Sequence, residues 1–221
     1  MLLRIDAAHD ALGEGVVTLH VAVDEKGKQP QESLMDLFVK GADRSLVSIR
    51  EGKQKGRKIL TVGDRVWLIV PGAGRPIPVS KGQRLMGAAS FGDVARIRFA
   101  ELYAATLRET DEAVSFRGGE TLCRVLDLTA LRAGAAYPKA VLWVSPDDGL
   151  PRRLRLSLAS GKEAKDVLYT SYDGQKRIGT MEIRDLLAAG RDNVTALEFT
   201  HYENRPLDPQ WFEPEGARTA P

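Results

Sequence analysis

The chain has 221 residues, of which 43% are hydrophobic and 28% charged, values of a globular protein and not of a disordered one. Thirty-two basic against thirty acidic residues leave a net charge of +2, which argues against a dedicated nucleic-acid binder. A single cysteine, Cys123, excludes an intramolecular disulfide, and its place in the apolar run Leu122 to Leu128 suits a buried thiol better than a reactive one.

Leu2, Ile5, His9 and Leu12 follow one another at helical spacing, so the chain opens on a short amphipathic helix closed by Gly13. Met1 to Asp6 lacks the apolar segment of a signal peptide, and no later run approaches the ~20 apolar residues that span a bilayer. The chain is therefore cytosolic, or it is the mature form of an exported protein. The period then changes to two. Val17, Leu19, Val21 and Val23 form one strand, Met35, Leu37 and Val39 a second, and Leu46 to Arg50 a third, joined as a meander. Lys53, Lys55, Arg57 and Lys58 read as the solvated tip of a hairpin.

Lys58 to Val62 and Arg65 to Val70 are two strands joined by a Gly63-Asp64 turn. A loop from Pro71 to Ser80 follows, which is expected to leave the ladder because Pro76 and Pro78 donate no N–H. The period of two lapses around Phe91 to Ala100, where a helical patch is expected. Strands resume over 102–109, 120–131, 139–145, 150–160, 164–172, 177–187 and 193–203, with Gly- and Asp-rich turns between them. In Leu154, Leu156 and Leu158 against Arg153, Arg155 and Ser157 the alternation is cleanest, with one apolar face and one wet face. Many one-sided strands and little helix leave an apolar face that must be buried, either in a packed sandwich or by curling round a cavity.

Chemistry-bearing constellations do not emerge. His9, His20 and His201 are too far apart for zinc-ligand spacing, and no nucleophile elbow or phosphate-binding loop is present. Asp147-Asp148 before Gly149-Leu150-Pro151 reads as a hairpin turn. No catalytic residue, cofactor or metal is expected. Glu198, His201 and Tyr103 are the only loose candidates for a polar cluster. Trp67 and Trp143 sit in the middle of apolar strands, where they serve as ordinary core or line an apolar cavity, and Trp211 reads as a plug against the sheet.

Four pieces in order resemble the LolA-like outer-membrane lipoprotein-sorting family. They are the Gly63-Asp64 strand pair with Trp67 and Pro71, Tyr137-Pro138-Lys139 with Leu142-Trp143-Val144, Leu150-Pro151 with Ser160-Gly161-Lys162, and Leu207-Asp208 with Phe212. The central loop Arg75-Pro76-Ile77-Pro78-Val79-Ser80 and the segment Gly87 to Asp93 depart from the family pattern. The resemblance implies a mainly β (α+β) fold: one domain over residues 1–221, an incomplete, strongly curved antiparallel β-barrel of roughly ten or eleven strands with a few short lid helices. It also implies a periplasmic, non-catalytic carrier that shelters the acyl chains of a lipid or lipoprotein between inner and outer membranes. The expected partners are the lipid or acylated lipoprotein, an inner-membrane transporter and an outer-membrane acceptor, with no nucleic acid and a monomeric state. Cavity-lining residues on this reading are Met35, Leu37, Leu60, Trp67, Ile69, Trp143, Leu154 and Leu156, and lid or loop residues are Pro76, Ile77, Pro78 and Phe91. Two other readings stay open: a filled β-structure that regulates an envelope transporter or sensor through its surface, and a small enzyme acting on a hydrophobic substrate.

Overall fold

The computed structural model describes residues 1–9, 12–25, 27, 29–41, 43–79, 98–133, 135–187 and 193–221. Helix α1 (Leu2–His9) leads into β1 (Glu14–Asp24), β2 (Gln31–Lys40), β3 (Arg44–Glu51), β4 (Lys58–Val62), β5 (Arg65–Ile69) and β6 (Ile77–Pro78). A short helix α2 (Phe99–Leu102) precedes β7 (Tyr103–Leu107), β8 (Glu112–Phe116), β9 (Gly119–Ala130), β10 (Lys139–Val144) and β11 (Pro151–Ser157). Then come β12 (Glu163–Tyr172), β13 (Ile178–Asp185), β14 (Val194–Asn204) and two 3-10 turns, Pro209–Phe212 and Gly216–Arg218. Hydrogen bonding joins the strands in the order β6-β5-β4-β3-β2-β1-β14-β13-β12-β11-β10-β9-β7, with β8 folded back on β9 as a hairpin. The order runs open from β6 to β7, so the mainly β fold with an unclosed antiparallel sheet and few short helices is the one expected.

Among the described residues the sheet has fourteen strands, more than the roughly ten or eleven that the resemblance implies. The residues of β8, Glu112 to Phe116, alternate only weakly. Strand β6 lies in the proline loop that was expected to leave the ladder. It forms because Val79 N–H bonds to the Val66 carbonyl at 2.8 Å, which sets Pro78 opposite Trp67 in a non-bonded pair. The missing N–H of Pro78 therefore falls on the outer side of an edge strand and breaks no ladder bond. The expected helical patch begins in residues outside the description, and its described part is α2. Phe91 and the Gly87 to Asp93 segment also lie outside the described residues.

The chain divides into two compact units. One comprises Met1–Ala11, Val23–Pro30 and Arg96–Leu197, the other Leu12–Ala22, Gln31–Ala95 and Glu198–Pro221. In the second unit the registers Phe38 with Leu46, Leu46 with Leu60 and Leu60 with Trp67 place these four side chains in one row on one face. The C-terminal segment covers that face. Leu207, Phe212, Ala217 and Ala220 pack on Val16, Phe38, Leu46, Leu60 and Ile69. Trp211 meets Phe38 edge-on, with ring centroids 5.6 Å apart, which places the plug where the sequence put it.

Lys58 departs from the solvated reading of its basic cluster. It shares a face with Leu60, is buried, and donates to the carbonyls of Ala217 (3.3 Å), Arg218 (3.2 Å) and Ala220. Desolvation pulls its pKa below the ordinary lysine value. A second tether holds the start of the segment. The Glu14 carboxylate accepts from the Lys40 ammonium and from the Leu207 N–H (2.6 Å), and Lys40 also donates to the Leu207 carbonyl (3.0 Å). Gly15 beside it has no room for a side chain, because a Cβ would collide with the Glu203 carbonyl.

Replacing Lys58 with Met keeps the aliphatic stem but leaves buried carbonyls without a donor. We expect a loss of about 1–3 kcal/mol in denaturant melts and faster tryptic cleavage at Arg218, and an unchanged cleavage rate would refute the anchoring role. The Lys40 hydrogen bond, followed by the Leu207 amide, holds the Glu14 carboxyl below its ordinary value. Its folded pKa therefore lies below its unfolded one, and the contribution is present above the unfolded value and lost as pH falls through the folded one. Stability curves of wild type and Glu14→Gln between about pH 6 and about pH 3 should converge on acidification.

Candidate functional site

In the first unit, strand alternation again makes two faces. Leu126, Leu142 and Leu154 stand opposite one another across β9, β10 and β11, and Leu128, Ala140 and Leu156 form the neighbouring row. All six are buried. The next position along this face pairs Arg124 with Val144. There the apolar stripe ends in a cavity of about 410 Å³, within the range of small-ligand sites, lined by Met1, Arg4, Arg124, Val144, Ser145, Pro146 and Gly149.

Local sequence explains each wall. The Ser145 to Gly149 turn is closed by Gly149 N–H to the Ser145 carbonyl (3.0 Å) and by Asp148 Oδ1 accepting from Leu150 N–H (2.9 Å), the hairpin role expected of Asp147-Asp148. Helix α1 is fixed by Ile5, fully buried, and by Asp6, whose carboxylate accepts from the N–H groups of Phe99 (2.6 Å) and Ala100 (2.9 Å). Burial raises the Asp6 pKa, and these two amide bonds oppose the rise.

The other face is covered by the β8 hairpin. Val114, Cys123, Val125 and Trp143 pack together there. Trp143 donates its indole N–H to Glu112 (2.9 Å), and the guanidinium groups of Arg153 and Arg155 lie 5.3 and 5.7 Å from its ring. Arg153 is in turn held by Asp166 at 2.8 and 2.6 Å. Arg152, only 4% exposed, sits 4.0 Å over the Phe116 ring and pairs with Asp148.

The residues predicted to line a cavity thus separate. Leu154 and Leu156 share the face on which the cavity opens. Trp143 is corrected out of that set, because its register sends it to the opposite face, under β8. Leu60, Trp67 and Ile69 lie beneath the C-terminal segment, whereas Met35 and Leu37, of opposite parity to Phe38, are buried on the other face of β2. Pro76 is buried, and Ile77 and Pro78 are exposed on β6. The wet face expected of Arg153 and Arg155 is instead a partly buried layer over Trp143. Sequence reasoning missed Arg4 and Arg124. For Arg124 a signal existed, since it interrupts the alternate-residue stripe Leu122, Leu126, Leu128.

The polar candidates do not assemble. Tyr103 donates to the Tyr137 carbonyl at 2.9 Å, and burial pushes its pKa up to about 12. Glu198 and His201 stand three positions apart on β14 and take opposite faces. Among the described residues no group of three or more His, Cys, Asp or Glu side chains is placed to hold a metal ion. Among them, too, no helix is long and apolar enough to cross a membrane.

A family model whose description reads "Uncharacterized protein" matches residues 41–216. No curated protein matches the sequence. Among solved structures, a LolA superfamily protein from Nitrosomonas europaea is 25% identical, with a TM-score of 0.80 over 97% of this chain and 96% of that one. A domain from Vibrio parahaemolyticus, described as an outer membrane lipoprotein-sorting protein, is 16% identical with a TM-score of 0.76, covering 98% and 97% of the two chains. A DUF1329 family protein from Desulfovibrio piger, also 16% identical, superposes with a TM-score of 0.76 over 96% and 94%. The chain belongs to the family of that model, and its fold is the LolA-like one of these solved structures.

Cys123 is fully buried on the β8-covered face, and burial pushes its thiol up to about 11. Iodoacetamide at about pH 8 should leave it unmodified in the folded protein and label it on unfolding, as read by intact mass. Rapid labelling of the native protein would mean that β8 does not hold its cover.

Proposed function

We propose that the chain is a carrier that shelters an acyl chain, of a lipid or an acylated lipoprotein, and moves it through the periplasm between two membranes. One observation carries this reading: the apolar face of Leu126, Leu142 and Leu154 continues to Val144, which forms a wall of a cavity of about 410 Å³ in a LolA-like fold. The affinity would be apolar, each CH₂ withdrawn from water contributing about 0.8 kcal/mol. Loading and release then require a membrane partner that offers a different affinity, because a ligand moves an equilibrium only through such a difference. On this reading the whole chain works as one carrier domain and performs no catalysis.

A second reading, an interaction protein acting through its surface, is favoured by β7. Among the described residues this strand ends the sheet order, its residues Ala104 to Leu107 are exposed, and none of them is charged, so it offers an edge on which another chain could add a strand.

Native mass spectrometry of freshly purified protein, followed by organic extraction, separates the two. The carrier reading expects a bound species that is lost on denaturation and extracts as a lipid. It further expects Pro146→Trp, a change at an exposed wall of the cavity, to lower occupancy several-fold with the melting temperature unchanged. A clean unliganded mass that persists after incubation with phospholipid vesicles would overturn it in favour of the surface reading.

A further inference from the structure

Several cations of the first unit are held in ion pairs. Arg108 binds Asp127 and Glu112, Arg152 binds Asp148, Arg153 and Arg155 bind Asp166, and Lys165 binds Asp185. Arg4 and Arg124 have no ion pair with any described carboxylate, and both line the same cavity. They come from different elements, α1 and β9, so their convergence is a property of the fold and not of one helix or strand. Arg124 lies in the position opposite Val144, on the face that otherwise carries Leu122, Leu126 and Leu128. At this end the stripe also loses its cover, since Leu122 is 59% exposed. The nearest acid along α1, Asp6, is committed to the backbone of α2. A third donor is available, because Ser145 Oγ accepts the Asp147 N–H at 3.3 Å and its hydroxyl hydrogen has no described acceptor. The remaining walls, from Met1, Val144 and Pro146, are apolar.

We propose that this cavity is a head-group site for a phosphate-bearing lipid, with Arg4, Arg124 and Ser145 on the phosphate and the start of the acyl chain against the apolar walls of Met1, Val144 and Pro146. The inference rests on the carrier reading and gives its cargo a chemical class. Two guanidinium forks and a hydroxyl offer more donors than a carboxylate's two oxygens use, since one fork already satisfies a carboxylate bidentately. A phosphate presents further oxygens and more charge. An apolar wall directly beside these donors selects an amphiphile over a free anion, which would gain nothing from Val144 or Pro146.

Calorimetric titration of the full chain with three probes tests this: 1-oleoyl lysophosphatidic acid, 1-monoolein and inorganic phosphate. The expected result is a lysophosphatidate affinity roughly tenfold or more above that of monoolein, with no saturable binding of inorganic phosphate at comparable concentration. In Arg4→Gln/Arg124→Gln, both at exposed positions, the preference for lysophosphatidate over monoolein should fall to about twofold or less. Thermal melts verify that the double variant folds. Equal wild-type affinities for the two lipids, or a preference that survives in the double variant, would overturn the head-group site and leave the carrier reading standing. Inorganic phosphate binding as tightly as lysophosphatidate would overturn it in favour of a free-anion site. Failure of both lipids to bind would overturn the site and the carrier reading together.

Discussion

A β-strand sends alternate side chains to opposite faces, and in this chain both faces carry large apolar residues. That constraint governs the rest of the structure. A strand with Leu37 on one side and Phe38 on the other needs cover twice, and a sheet with few helices has to find it elsewhere. In the second unit the cover is the C-terminal segment, laid over Phe38, Leu46 and Leu60. In the first unit it is the β8 hairpin, folded over Cys123, Val125 and Trp143. Neither cover is long, and each is fastened by a charged group, Lys58 in one case and Arg152 in the other.

The two fastenings follow one physical logic. Lys58 gives up part of its hydration and recovers it from carbonyl oxygens that a chain end would otherwise leave unpaired. Arg152 lies against the Phe116 ring and is neutralised by Asp148, so a cation serves as packing material. Arg153 and Arg155 do the same over Trp143. Because each of these charges already has its partner, they stabilise covers and are not available to a ligand. The contrast with Arg4 and Arg124 is therefore one of environment, not of residue type.

How much of this was legible in the sequence depended on the range of the interaction. Local signals held: Gly63-Asp64 and Asp147-Asp148-Gly149 mark turns, and the alternation in Leu154 to Ser157 marks a strand. The family resemblance rested on such local pieces, and the open mainly β fold followed. Facing was harder. Trp143 and Leu154 both read as apolar strand residues, and only the register between β10 and β11 shows that they point to opposite sides. Lys58 looked like part of a solvated run because its carbonyl acceptors lie about 160 positions later in the chain. Strand β6 was missed since the harm done by a proline depends on which side of the ladder its nitrogen faces, which composition does not encode. Arg124 was the one site residue that its strand could have betrayed, as a cation on a leucine stripe.

On the proposed carrier reading, the division of labour within the cavity follows from magnitudes. An acyl chain of a dozen buried methylenes has a gross apolar contribution on the order of 10 kcal/mol, which greatly exceeds what any exposed ion pair supplies. Exposed charge pairs contribute about 0.2–1 kcal/mol each, and charge-assisted hydrogen bonds about 1.5–3 kcal/mol. Two exposed arginines therefore add little to whether a chain is held and much to which end of it points outward. Head-group recognition worth about 1.4 kcal/mol is a tenfold preference, enough to orient a cargo and to rank lipids of equal tail length. It is also small enough that a membrane carrying the same phosphates competes for it directly. A grip built this way holds the tail by burial and yields the head to the next surface, which is the order of events a carrier needs at its destination.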